Sequence, residues 1–274
     1  MKVGGCSFSF GPSRLDVAAQ TLKGLGFDTI DLGVCLGNTQ VSPFEAAKNP
    51  EAAAGAVRLV LDQFDLEPGE CFVLDFGQPI NHPDPTVRRE SRKLFKRLAR
   101  FAKLAGCPSL MLLPGITYDD LGWQASYTRS VAELRDLCEI AADAGVQLNV
   151  EPCEPSVLQT PDAAASVCHD VCGLGLTLDY SHFIDQGYSQ REVEKLHPFA
   201  RHFHARQATK GKRVETVEQG TIDFRRIVSL LKSEGYQGII AVEYVECDTT
   251  RLCQVDVRSE TPKMKAELEW LIAQ

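Results

Sequence analysis

Glu151, Asp179, His204 and Glu243 come from four separate stretches of the chain, yet each closes or nearly closes a short apolar run. The runs read Leu148-Asn149-Val150-Glu151, Leu176-Thr177-Leu178-Asp179, His202-Phe203-His204 and Ile240-Ala241-Val242-Glu243. A β-strand alternates its faces with period two. Asn149 therefore shares a face with Glu151, Thr177 with Asp179, His202 with His204 and Arg206, and Ala241 with Glu243. A lone Glu at a strand end is ordinarily a solvated loop residue, and a lone His in a β run is ordinarily hydrogen-bonded core. Such residues ending four successive runs invite a joint reading. If the faces converge, three carboxylates meet one imidazole, and like charges at that range raise each other's pKa or push the strands apart unless a cation joins them. One divalent ion per chain answers this. Mn²⁺, Mg²⁺ or Co²⁺ suits the oxygen-rich donor set, and Zn²⁺ or Fe²⁺ is compatible with it. Four protein ligands on an octahedral ion leave about two positions open, which suits two neighbouring oxygens of one substrate, such as a carbonyl and the adjacent hydroxyl of a sugar.

The elements that must carry these residues alternate. Strand-like runs at Lys2–Phe10, Thr29–Val34, Cys71–Phe76, Ser109–Leu113, Val146–Pro152, Leu174–Asp179, Arg201–Arg206 and Gly238–Val245 are separated by segments of helical periodicity. Helix starts are signalled at Ser42-Pro43, Asp84-Pro85, Ser130, Thr160-Pro161, Ser189 with Glu192, Asp223 and Thr261-Pro262. Eight such units in 274 residues match one (β/α)8 TIM barrel, read as a single domain over 1–274. The first run is followed by Gly11-Pro12-Ser13, neither a dinucleotide fingerprint nor a phosphate loop, which disfavours an open doubly wound sheet. Barrel enzymes carry their chemistry at the C-terminal ends of the strands, where all four candidates fall. The loops at Cys35–Val41 and Pro114–Ser126 are expected to wall the pocket, and Trp123 in the second reads equally as a sugar-stacking or a structural residue. His202 is read as core or support, and Asp31 and Asp75 as structural.

Composition sets limits. Twenty-nine basic against 37 acidic residues give a net charge of −8, and no basic block is long enough to coat a nucleic acid. There is no signal-peptide pattern at the start and no apolar run of membrane-spanning length, so neither a nucleic-acid nor a membrane partner is expected. Ten scattered cysteines read as reduced thiols of a cytoplasmic protein. Cys168 and Cys172 flank His169 without a second pair that would make a zinc site.

In its second half the chain resembles the xylose isomerase-like TIM-barrel superfamily, and within it the sugar phosphate isomerase/epimerase group. The matching pieces are NVEP (149–152), LTLDYSHF (176–183), HFHARQ (202–207), GTIDF (220–224) and GYQGIIAVEY (235–244), together with the helical segment 82–106. The resemblance implies Glu151, Asp179, His204 and Glu243 as metal ligands and His182 as a substrate contact. It also implies a cationic substrate contact a few residues past the metal-binding histidine, where this chain has Arg206 and Lys210. The implied reaction is proton abstraction beside a carbonyl to a cis-enediolate, with Glu151 and Glu243 as the catalytic acid/base pair. Return of the proton from the other face gives epimerisation, and return to the neighbouring carbon gives isomerisation. A dehydratase of an inosose- or dehydroshikimate-like substrate shares the first step and stays open. An apurinic endonuclease would need additional histidines that the third and fourth runs lack. A non-catalytic binding barrel would not be expected to keep four ligands. The expected partner is a small carbohydrate, free or phosphorylated; Arg206, Lys210, Lys212 and Arg213 read equally as phosphate contacts or as a solvated loop. Barrels of this kind often pair, so a homo-oligomer is compatible.

Overall fold

A computed structural model describes residues 1–11, 13–35, 40–74, 77–246 and 255–274. The elements run β1 (Lys2–Cys6), α1 (Leu15–Gly24), β2 (Thr29–Val34), α2 (Pro43–Lys48), α3 (Pro50–Gln63), β3 (Glu67–Val73), α4 (Pro85–Ala105), β4 (Ser109–Leu112), α5 (Gly122–Ala144) and β5 (Gln147–Val150). They continue with α6 (Pro161–Asp170), β6 (Gly175–Asp179), α7 (Ser181–Gln186), α8 (Gln190–Glu194), β7 (Ala200–Ala205), β8 (Gln207–Thr209), β9 (Lys212–Glu215), α9 (Phe224–Ser233), β10 (Ile239–Val242) and α10 (Val257–Ala273). Eight strands close in the order β1-β10-β7-β6-β5-β4-β3-β2, all parallel, which makes the molecule a (β/α)8 TIM barrel.

The helices begin where their caps are written. Asp84 accepts from the Thr86 amide at 2.7 Å ahead of Pro85, Thr160 accepts from the Ala163 amide at 3.1 Å, and Ser189 and Glu192 form a capping box. Gly106 ends α4 in the left-handed region that spares glycine a steric cost. Two helices start earlier than their sequence signals. α5 begins at Gly122 rather than Ser130, so Trp123 lies in its first turn instead of a pocket loop. α10 begins at Val257, capped by Asp256, and Pro262 sits inside it.

The third strand also starts earlier, at Glu67, through a Pro68-Gly69 pair that looks like a turn signal. The reason is local. A Cβ at residue 69 would overlap Oδ1 of Asp31, which approaches the backbone closely enough to accept from the Glu70 amide at 2.8 Å. Gly69→Ala is expected to lose about 1–3 kcal/mol of stability through this overpacking, read as a lower denaturant midpoint at unchanged m-value. The β8–β9 hairpin was not legible in the sequence. It stands outside the barrel and is tied to β10 by the Tyr244 hydroxyl, which accepts from the Gln207 amide and donates to the Glu215 carbonyl, both at 3.1 Å.

Most apolar side chains fill the layer between barrel and helices. The lumen holds a smaller apolar group that includes Cys6, Phe72, Met111 and Ala241. Beside it lies a fully buried polar group: the Glu70 carboxylate accepts from Ser109 Oγ at 2.7 Å, from Asn149 Nδ2 at 2.6 Å and from the Thr177 hydroxyl. No disulfide joins the described cysteines, and no described helix is long and apolar enough to cross a membrane.

Candidate active site

Parallel register brings the four candidates to one end of the barrel. Asp179 is the last residue of β6 and pairs in register with His204 of β7, which pairs with Ala241 of β10. Glu243 lies one residue past β10, with its amide donating to the Ala205 carbonyl at 3.0 Å. Glu151 lies one residue past β5. All four are buried. His204 Nδ1 stands 3.0 Å from Glu151 Oε1 and 3.2 Å from Glu243 Oε2. His182, in the first turn of α7, points Nε2 toward Asp179 Oδ2 at 3.7 Å and Glu151 Oε1 at 4.0 Å. Two groups of donor atoms, Glu151–His204–Glu243 and Glu151–Asp179–His182, are each contained within 4.8 Å, with Glu151 common to both.

The carboxylates do not face one another alone. Arg206 is buried just past β7, its Nη2 2.6 Å from Asp179 Oδ2, its Nη1 3.3 Å from Glu243 Oε2 and its Nε donating to Ser181 Oγ at 2.8 Å. Like-charge repulsion is therefore relieved in part by a guanidinium, which the counting of carboxylates in the sequence did not take into account. Burial, joined by the charge of Glu243, pushes Glu151 up to about 7. Burial acts the same way on Glu243, but Arg206 and His204 outweigh it and hold that carboxyl below its ordinary value. Burial pulls His204 down, yet Glu243, Asp31 and Glu151 together raise it well above an ordinary imidazole. Burial and the nearby Arg206 and Arg213 depress His182.

The donor set fits a divalent cation. Three carboxylates and an imidazole converge, and Glu243 Oε2 is a buried carboxylate oxygen that makes no hydrogen bond. His204 Nε2 faces the other way, 3.5 Å from Asp31 Oδ2. A further group of candidate donors, Cys6–Asp31–His204, lies on that side.

The structure separates the two cations singled out past His204. Arg206 joins the cluster, whereas Lys210 is exposed at the tip of the β8–β9 hairpin, packed against Gly187. Arg213 of β9 lies at the rim instead, with Nε 3.4 Å from Asp185 and Nη2 3.6 Å from Glu154. Sequence reasoning weighed Arg213 only as one of four loop cations, and it missed the part played by Asp31. Spacing from His204 could not tell which of the four reaches the rim without the hairpin. Asp31 did carry a signal, as an acidic residue in an otherwise apolar run. Asp75 and most of the Cys35–Val41 loop lie outside the described residues. Trp123 stacks on Tyr127 at 4.9 Å and donates Nε1 to the Val157 carbonyl at 3.0 Å, which pins the loop after β5. A cavity of about 380 Å³ opens among the loops after β3, β4 and β5, lined by Leu74, Gln78, Ile80, Ile116, Pro155 and Ser156 among others; none of its described lining residues is charged.

Residues 19–274 match the family model described as xylose isomerase-like TIM barrel. A human protein provisionally named hydroxypyruvate isomerase is 27% identical over 214 residues, 72% of this chain and 76% of that protein. Among solved structures, D-psicose 3-epimerase from Clostridium cellulolyticum H10, determined with D-tagatose, superposes with a TM-score of 0.80 at 14% identity over 99% of each chain. The 3-keto-D-glucoside 4-epimerase of E. coli superposes with a TM-score of 0.73 at 16% identity over the whole of both chains. At those identities the likeness is one of fold.

Proposed function

The chain belongs to the xylose isomerase-like TIM-barrel family, and from that premise we propose that it is a divalent-metal-dependent sugar isomerase or epimerase working through a cis-enediolate. The observation that carries the reading is the bracketing of His204 Nδ1 by Glu151 and Glu243, carboxylates delivered by strands β5 and β10. Glu151, Asp179, His204 and Glu243 would hold the ion. Bound there, it supplies polarisation of a substrate carbonyl and its neighbouring hydroxyl, which acidifies the C–H between them.

The chain's own residues do the rest. Glu243 and Glu151 take and return the carbon-bound proton as a general acid/base pair. His182, kept neutral by burial, accepts from Arg206 Nη2 at 3.2 Å through Nε2, which leaves its buried, unpartnered Nδ1 for a substrate hydroxyl. Arg206 faces Ser181, Asp179, His182, the Glu243 carbonyl and, as an ion pair, the Glu243 carboxylate, so its part is to hold these groups in place. The sugars named for the structural neighbours, D-psicose, D-tagatose and a 3-keto-D-glucoside, support an unphosphorylated sugar as the substrate class.

Metal content by mass spectrometry tests the reading. The wild type is expected to hold one divalent ion per chain, and His204→Ala and Glu243→Gln are expected to lose it or bind it far more weakly. Several zinc ions per chain would turn the assignment toward an endonuclease-type hydrolase. No uptake after soaking in Mn²⁺, Mg²⁺, Co²⁺ or Zn²⁺ would remove the mechanism. Product analysis then separates isomerase and epimerase from dehydratase.

A further inference from the structure

Asp31 is a fully buried carboxylate on β2. A charge in that position is costly unless it is paired and hydrogen-bonded. Its partners are specific. Oδ1 accepts from the Glu70 amide at 2.8 Å, which fixes the carboxylate plane against β3. Oδ2 lies 2.6 Å from His202 Nε2 and 3.5 Å from His204 Nε2, so one oxygen faces both imidazoles of β7. The two rings stand edge to face, 5.4 Å apart. His204 Nε2 is buried and makes no other hydrogen bond. Its approach to Asp31 tightens into an ordinary bond with a shift of about half an ångström.

From this geometry we infer that Asp31 is a positioning residue: it accepts the Nε2 proton of His204, so that Nδ1, toward Glu151 and Glu243, is the nitrogen that gives up its proton when the ion binds. The inference rests on the metal-site reading above. An imidazole that binds a metal through one nitrogen must carry its proton on the other, and the acceptor of that proton decides the ring's tautomer and its angle. Gly69 belongs to the device, because only a residue without Cβ lets the Asp31 carboxylate reach the β3 backbone. Asp31→Asn keeps the shape and changes the chemistry. Its carboxamide can still accept from Glu70 through oxygen, but its NH₂ then faces His202 and His204. A ring nitrogen accepting from that NH₂ must give up its own proton, and for His204 this moves the proton to Nδ1, the atom that should face the metal.

The test is nitrogen NMR on protein labelled with ¹⁵N-histidine and loaded with Zn²⁺ or Mg²⁺, with His204 identified by the signals missing in His204→Gln. The wild type is expected to show His204 protonated at Nε2, with Nδ1 shifted by the ion. Folded Asp31→Asn is expected to bind the same ion about 10–100-fold more weakly by calorimetry. A wild-type His204 that carries its proton on Nδ1, or binds the ion through Nε2 on the Cys6–Asp31 side, overturns the inference even if Asp31→Asn does not fold. So does folded Asp31→Asn with wild-type affinity. Wild-type protein that takes up no divalent ion overturns the metal-site reading itself, and the inference with it. Uptake with unchanged affinity in Asp31→Asn overturns the inference alone.

Discussion

With divalent metal in enough excess to refill a weakened site, Glu151→Gln and Glu243→Gln are each expected to stop inversion of a sugar carbon while sparing proton exchange on one of the two epimers. The carboxylates reach His204 Nδ1 from β5 and β10, with donor atoms within 4.8 Å of one another. A sugar carbon held between them meets one on each face. Inversion needs both, one to take the proton and one to give it. Exchange with solvent needs only the group on the face where the proton lies. Loss of a positioned acid or base typically costs about 10²–10⁴-fold in rate, and inversion should fall by that much in both variants. The experiment offers each epimer of a ketose pair turned over by the wild type in D₂O, and follows deuterium entry and epimer ratio by NMR. Metal content measured on the same samples separates loss of a proton carrier from loss of a ligand. If both variants lose exchange on the same epimer, both carboxylates serve one face and the two-sided acid/base assignment falls. Inversion within tenfold of wild type in either variant removes that residue from the acid/base pair.

Arg206→Met should be among the most destabilising single substitutions in metal-free protein, and among the most responsive to added metal. The guanidinium is buried between Asp179 and Glu243, and its own affinity for protons is raised because those two charges outweigh its burial. Methionine matches much of its volume but leaves two buried carboxylates short of a counter-charge. Breaking one side of a buried ion pair costs about 3–5 kcal/mol. For a domain of this size that is a fall in Tm of about 6–20 °C, measurable by thermal unfolding in a chelator. A divalent ion at the neighbouring donors restores positive charge, and saturation at a hundredfold excess over Kd returns about 2.7 kcal/mol. The variant should therefore gain more Tm from Mn²⁺ or Mg²⁺ than the wild type gains. An Arg206→Met protein as stable as wild type in chelator would show that the guanidinium is not the balancing charge.

Much of this architecture was legible because it is local. Period-two alternation placed Glu151, Asp179, His204 and Glu243 at strand ends, the caps at Asp84, Thr160 and Ser189 marked helix starts, and eight repeats in 274 residues gave the barrel. Boundaries failed where a tertiary partner overruled a local signal. Pro68-Gly69 reads as a turn and is strand because the Asp31 carboxylate needs the space above Gly69. Trp123 reads equally as a pocket wall or as structural, and it takes the structural part, holding the Val157 carbonyl from a helix. The cations show the division most clearly. Arg206 and Lys210 both follow His204 closely, yet the β8–β9 hairpin sends Lys210 to its exposed tip, brings Arg213 to the rim and leaves Arg206 among the carboxylates. The chain alone could determine which residues alternate, which helices start and that acidic groups end the strands, because those depend on neighbours a few residues away. Which charge answers which, and which nitrogen of His204 faces the donors, depends on groups up to about 170 positions apart, Asp31 and His202 among them, and only closure of the barrel brings them within bonding distance.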